Sequence, residues 1–135
     1  MYKILKALKD TYVTNKIESN KLRVTDANVG QAGTLDLFKL FNESTLNGSS
    51  SLKELSRLLI KFDLSPLQKL TGSTLDITHN SFKCTLKLYD VYGGQSCPDN
   101  FKVIVYPLSK SFDEGTGMDV KAFSHIGSCN FVTAS

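Results

Sequence analysis

Short runs that alternate apolar and polar residues, separated by turn-forming residues, are the feature that most constrains the fold of this chain. Five such runs occur, at residues 21–25, 34–41, 57–63, 83–92 and 101–108. A sixth and shorter run lies at 74–78. Alternation with period two buries one face of a β-strand and leaves the other in water. Several short strands with turn signals between them are typical of β-sandwiches. The pattern therefore predicts an all-β protein, an antiparallel β-sandwich or jelly-roll.

The same alternation predicts which side chains form the hydrophobic core. Within these runs, alternate residues on one face are mainly apolar and those on the other are mixed. The predicted core consists of Leu58, Ile60, Phe62, Leu86, Leu88, Val103 and Val105. Cys84 is predicted to lie within an apolar strand.

The first nine residues have a different pattern. Ile4, Leu5 and Leu8 follow one another at helical spacing, with lysines on the opposite side. This predicts a short N-terminal helix or arm at 1–9, preceding a β-sandwich domain at 10–135. The three apolar residues are interface candidates for a neighbouring subunit, and packing of the arm on its own sandwich is the alternative.

Two other short helical segments are predicted. Ser65 before Pro66 is typical of a helix start, with the serine as the cap and the proline in the first turn. Gly72 is expected to end that turn. A brief helix at 52–59 is also compatible with the spacing of its leucines.

Composition excludes several classes of protein. The 135 residues, of which 41% are hydrophobic and 21% charged, suffice for one packed domain and do not resemble a disordered or fibrous chain. No apolar run approaches the roughly 18 residues of a membrane helix, and no signal peptide is recognisable. The net charge of +3 equals the contribution of Lys3, Lys6 and Lys9. Without a broad basic face, nucleic acid is not an expected partner.

The reactive side chains do not form a known catalytic or metal-binding motif. Cys84, Cys97 and Cys129 lack the paired spacing of a zinc site, so reduced thiols are the favoured interpretation. His79 and His125 lie outside the hydrolase motifs, and His79 is predicted to be a surface residue in a turn. The sequence therefore predicts no enzymatic activity and no bound cofactor.

Calcium is the one metal for which the sequence offers candidates. Asp113, Glu114 and Asp119 lie in a loop that contains Gly115 and Gly117. Carboxylates in such a loop can bind calcium, although the spacing differs from that of an EF-hand. The alternative is a solvated loop in which aspartate caps backbone donors.

A carbohydrate site would require exposed aromatic rings. The chain has no tryptophan, and the candidates are Tyr89, Tyr92 and Tyr106. Aromatic residues in strands more often serve in packing, which is the favoured interpretation here.

Several segments, taken in order, resemble the DNRLRE-type β-sandwich domain, which is related to some carbohydrate-binding modules. The most specific is the run SRLLIKFDLS at 56–65. The others are KDTYV at 9–13, NVG at 28–30, LDL at 35–37, STL at 73–75, TLKLY at 85–89 and FDEG at 112–115. That family usually has tryptophan where this chain has Phe112, and it usually continues with one or two further strands.

The resemblance is to the form of this domain found in structural proteins of tailed bacteriophages. It implies a non-enzymatic virion component, made in the host cytoplasm, of a tail, fibre, baseplate or head surface. The implied partners are other virion proteins, in a homo- or hetero-oligomer that completes the sandwich. The alternative function is a carbohydrate-binding module for attachment to a host surface, with a glycan as the ligand.

Overall fold

The fold is built around one antiparallel sheet. The structure, a computed structural model, describes residues 2–17, 23–41, 53–91, 100–118 and 128–133. Its strands are β1 (Ala7–Thr14), β2 (Lys39–Phe41) and β3 (Lys53–Phe62), in the spatial order β1-β3-β2. Among these residues the only helix is the short α1 (Ser65–Gln68), which follows β3. Strands predominate over helix, so the predicted all-β class is confirmed at this level.

The central strand is β3, which the alternation predicted at 57–63. It is four residues longer at its start, and the alternative of a helix at 52–59 is wrong. Its long register with β1 pairs Thr11 with Leu59 and Tyr12 with Leu58. β-Branched and aromatic residues at these pairs favour a pleated strand.

The N-terminal helix prediction is wrong. Residues 2–6 form no helix, and β1 begins at Ala7. The register between β1 and β3 shifts between Ala7 and Lys9, so Leu8 lies at a bulge with its side chain exposed. Strand pairing with β3 overrides a helical pattern of only three apolar residues, because so short a helix is marginal without packing.

Other predicted strands are shorter or not formed in the described residues. Of the run 34–41, only Lys39–Phe41 pairs, and the run 21–25 contributes one bridge between Ile17 and Arg23. A bridge between Thr71 and Leu75 touches the sixth run. Residues 83–91 and 101–108 lie outside every strand, helix and turn.

The helical turn after β3 is confirmed, with a different cap. Leu64 is the N-cap, and Ser65 is the first helical residue. The carboxylate of Asp63 accepts the backbone N–H of Ser65 at 3.0 Å, and this bond lowers the pKa of Asp63. Pro66 occupies the first turn as predicted. Gly72, at φ 91°, follows the turn in the left-handed conformation that favours glycine.

The core lies against both faces of β1. Tyr12 packs with Ala27 and Val29 in one cluster, whereas Val13 packs with Phe112 and Cys129 in the other. Successive residues of a strand point to opposite faces, so the two clusters cover the two sides of the sheet. Leu58 packs on the first cluster and Leu59 on the second, which repeats this division along β3: each face of the sheet has its own set of buried side chains.

The residues predicted to form the core are not the ones that are buried in the structure. Leu58, Ile60 and Phe62 are half-buried, while four predicted core residues are exposed: Leu86, Leu88, Val103 and Val105. The alternation identified side chains suited to a β-sheet. It could not show whether the described chain supplies a layer to cover them.

The chain divides into two compact units. The core unit comprises Lys6–Phe62 and Ser109–Ser135, and the second unit comprises Met1–Leu5 and Asp63–Leu108. Every buried residue named above belongs to the core unit. In the second unit, none of the described residues (2–5, 63–91 and 100–108) is buried. The predicted boundary between arm and domain at residue 9 stays a prediction.

Across the described ranges, no helix has the length and apolar character needed to cross a membrane.

Candidate functional site

In the core unit, four hydrogen bonds meet at the side chain of Asn28, which has no exposed surface. Its Nδ2 donates to the carbonyl oxygens of Glu114 at 2.7 Å and Cys129 at 2.9 Å. Its Oδ1 accepts the backbone N–H groups of Gly30 at 3.2 Å and Gly117 at 2.9 Å. Both donors and both acceptor positions of the amide are thus used. We call this arrangement the Asn28 clamp.

The clamp joins three segments that are distant in sequence. Backbone bonds run alongside it, from Gln31 to Gly117 at 2.8 Å and from Cys129 to Asp113 at 3.0 Å. It also brings together the segments NVG at 28–30 and FDEG at 112–115, whose contact no local pattern predicts. A buried amide with all its polar atoms satisfied rigidifies a fold. The clamp therefore has a structural role.

Two glycines make the close approach within the clamp possible. A Cβ on Gly30 would overlap the carbonyl group of Glu114, and one on Gly115 would overlap the side chain of Asn28. Gly115 also has φ 78°, a conformation that other residues seldom adopt. Both positions thus require glycine.

We expect Gly115→Ala to lower the free energy of unfolding by about 1–3 kcal/mol, because it combines a left-handed backbone with a steric overlap. Urea unfolding followed by circular dichroism measures this. Gly33→Ala is the matched control, since a Cβ there meets nothing within 4 Å and φ is not positive. Equal stability of the two variants would contradict the role given to Gly115.

The calcium candidates do not form a ligand cluster in the described residues. Asp113 is exposed, and Asp119 lies outside the described residues. One carboxylate oxygen of Glu114 accepts the N–H of Asp10 at 2.7 Å, which occupies a donor of the edge strand β1. Within the part of the chain that the structure describes, no three His, Cys, Asp or Glu side chains are grouped as metal ligands. Calcium binding thus gains no support from the geometry, and Glu114 serves to cover a strand edge.

The cysteines differ in environment. Cys84 is exposed, contrary to the expectation that it lies within an apolar strand, and Cys129 is buried. Burial, and to a lesser degree the nearby charge of Asp113, raises the pKa of the Cys129 thiol to about 11. Its thiol is therefore almost entirely protonated at neutral pH and unreactive. Cys97 lies outside the described residues.

This raised pKa predicts a loss of stability in alkali. The folded state favours the neutral thiol of Cys129, so the stabilisation is complete below the unfolded pKa of about 9 and declines as the pH rises towards 11. We expect the urea midpoint to fall more steeply over this range in the parent chain than in Cys129→Ala. The variant itself is less stable, so the comparison is between slopes. Parallel slopes would contradict the burial of the thiol.

The histidine prediction is confirmed for His79, which is exposed. Its Nδ1 lies 2.7 Å from the hydroxyl of Ser81 and accepts the backbone N–H of Ser81 at 3.2 Å. Both bonds join residues two positions apart, so they belong to the local turn. In the same turn, hydrogen bonds from Thr78 lower the pKa of Asp76. His125 lies outside the described residues.

The three interface candidates at the N-terminus differ in exposure. Ile4 and Leu8 are exposed, and Leu5 is half-buried. Their role as contacts to another subunit stays a prediction.

The second unit contains two apolar segments, 82–91 and 101–108, whose large side chains are exposed. They contain eleven exposed large apolar side chains: Phe82, Leu86, Leu88, Tyr89, Val91, Phe101, Val103, Ile104, Val105, Tyr106 and Leu108. Ile104 and Val105 are adjacent and each 71% exposed. Adjacent residues of a strand face opposite ways, so such a strand would need cover on both faces.

The tyrosine candidates belong to these segments. Tyr89 is 87% and Tyr106 74% exposed, so the interpretation that they pack within the chain is wrong for both. Tyr92 lies outside the described residues. Their rings are accessible to a ligand or to another protein.

Compared with known protein families, with curated proteins and with solved structures, the chain has no match in any of the three.

Proposed function

We propose that this protein is a non-enzymatic structural component of a bacteriophage particle and acts through protein–protein contacts. The observation that supports this best is the pair of apolar segments, which expose large side chains in a unit without buried residues among those described. Monomeric proteins seldom expose continuous apolar patches beyond about 300–600 Å², and larger ones mark interaction surfaces. The side chains are suited to burial against another subunit.

The sandwich is part of this proposal. It rests on the resemblance, while the core clusters on both faces of β1 mean that other segments cover this sheet on each side. The resemblance to the DNRLRE-type domain supports the placement in a tail, fibre, baseplate or head surface. Pairing with a partner would cover the apolar segments, as strand addition does in other assemblies.

Immunogold electron microscopy tests the location. An antibody against the full chain is applied to tailed particles produced from the genome that encodes it. Label at a fixed position on the particle supports the proposal. Label confined to unassembled material, with particles unlabelled, contradicts it.

Carbohydrate binding is the second candidate, favoured by the exposure of Tyr89 and Tyr106. Exposed aromatic faces stack on sugar rings, and their amphipathic character suits such contacts. A glycan array with the full chain tests it. Binding that is lost in Tyr89→Ala or Tyr106→Ala and kept in Tyr2→Ala, whose ring is equally exposed, would support this function.

A further inference from the structure

We infer that residues 82–91 pair antiparallel with the same segment of a second copy of this chain, about a two-fold axis at Leu86. This inference rests on the proposed function, since it names the partner and the contact. Residues 82–91 have strand-like alternation but lie outside every strand and turn, and Leu86 and Leu88 are exposed.

The exposed area is large enough for a stable subunit contact. From their exposed fractions, the five apolar side chains of 82–91 present roughly 500 Å² per copy and the six of 101–108 roughly 700 Å², so a contact of standard size uses both segments. A standard interface buries about 800 Å² on each partner. An isologous dimer uses one patch twice, so a self-complementary segment suffices to form it.

The sequence of the segment selects the register. In a two-fold antiparallel pair, each residue faces one of the same parity on the copy, because opposed side chains lie on one face of the sheet. With the axis at Leu86, that leucine faces its own copy and Cys84 faces Leu88. On the other face, Lys83 lies opposite Tyr89, which permits a cation–π contact. Cross-strand pairs of these kinds stabilise sheets.

Neighbouring symmetric registers are less favourable. An axis at Lys87 would place two lysines directly opposite each other, and an axis at Thr85 would place Lys83 opposite Lys87 twice. Like charges in opposed positions destabilise a strand pair. An axis at Leu88 would place Leu86 opposite Asp90. An axis at Cys84 avoids these conflicts but opposes only residues 82–86 of the segment, whereas the axis at Leu86 avoids them and opposes residues 82–90. Its least favourable pair, Phe82 with Asp90, falls at the end of the segment, where the carboxylate can reach water.

Disulfide trapping tests the register. The variant Leu86→Cys is made in the full chain with Cys84→Ser and Cys97→Ser, and is oxidised with oxidised glutathione. Opposed residues have Cα atoms about 4.5–5.5 Å apart, within the range of a disulfide. Lys87→Cys in the same background is the matched control, because a residue diagonal to its copy is about 7–8 Å away. We expect a covalent dimer on a non-reducing gel from Leu86→Cys, at least tenfold more than from Lys87→Cys.

Thiol labelling of the otherwise unchanged segment gives a second measurement. In the Cys97→Ser chain, Cys129 is buried and Cys84 reports on the segment. We expect labelling of Cys84 to slow at least tenfold as protein concentration rises through the range of association. A rate independent of concentration would overturn the inference.

The outcomes separate the contact from the function. An assembled chain that cross-links equally through both cysteine variants, or through neither, overturns the pairing of 82–91 and leaves the particle proposal standing. A monomer by light scattering at all concentrations overturns the pairing, while the particle labelling decides the proposed function by itself. Selective cross-linking at Leu86 without label on particles supports the pairing and contradicts the virion role.

Discussion

Replacing Asn28 with alanine is expected to lower the free energy of unfolding by at least about 3 kcal/mol, because each buried polar group left without a partner costs about 1–3 kcal/mol. The change leaves two carbonyl groups and two N–H groups without their partner in a site that has no exposed surface. It also leaves a small cavity between the three joined segments. Urea unfolding of the full chain measures the loss.

Asn130→Ala is the matched control. Its Oδ1 accepts the N–H groups of Val132 and Thr133, both at 2.9 Å, in an exposed turn. Water can replace those bonds, so we expect a loss below about 1 kcal/mol. Asn28→Asp keeps the shape and the acceptors and removes both donors, so it should also be strongly destabilising. Similar effects at Asn28 and Asn130 would mean that the clamp does not hold the core unit.

The second large effect is expected from Leu88→Lys, which should weaken self-association by at least 100-fold, or about 3 kcal/mol. The change places an ammonium group among apolar side chains that are expected to be buried between subunits. An unpaired charge in such a place is costly. Because Leu88 is exposed in the isolated chain, the fold should be preserved. Sedimentation velocity over a range of concentrations measures the association.

Val132→Lys serves as the control for that variant. Val132 is also an exposed apolar residue, but it lies in the core unit, outside the apolar segments. It should associate like the parent chain. If both lysine variants dissociate alike, the effect is one of net charge, and the apolar segments are not the contact.

The sequence predicted β3 because its pattern and its surroundings agree. Leu58, Ile60 and Phe62 alternate with Arg57, Leu59 and Lys61, and the strand pairs on both sides. β1 was not predicted, because Ile4, Leu5 and Leu8 have helical spacing and the threonines after them give no apolar alternation. A strand of this kind is recognised by its partner, which local pattern does not include.

The strands at 83–92 and 101–108 were predicted, but their described residues form no strand. Their alternation is clear, yet their described residues do not pair within the chain. Alternation reports that a segment is suited to a sheet, and it does not identify the neighbouring strand. The same limit applies to the core, since exposure of Leu86 and Val103 depends on what covers them.

The Asn28 clamp was visible in the sequence only as fragments. NVG at 28–30 and FDEG at 112–115 were singled out only as separate parts of the resemblance. Their contact spans 86 positions along the chain, from Asn28 to Glu114. Cys129 carried no signal for burial, because a lone cysteine near a polar stretch fits the surface equally well.

The apolar segments are expected to join copies of this chain, and the mass of the full chain in solution is the clearest test of that self-association. Size-exclusion chromatography with light scattering at several concentrations gives that mass. We expect a defined oligomer, with a mass that is a multiple of the 14.9 kDa chain. A stable monomer of 14.9 kDa at every concentration would contradict it.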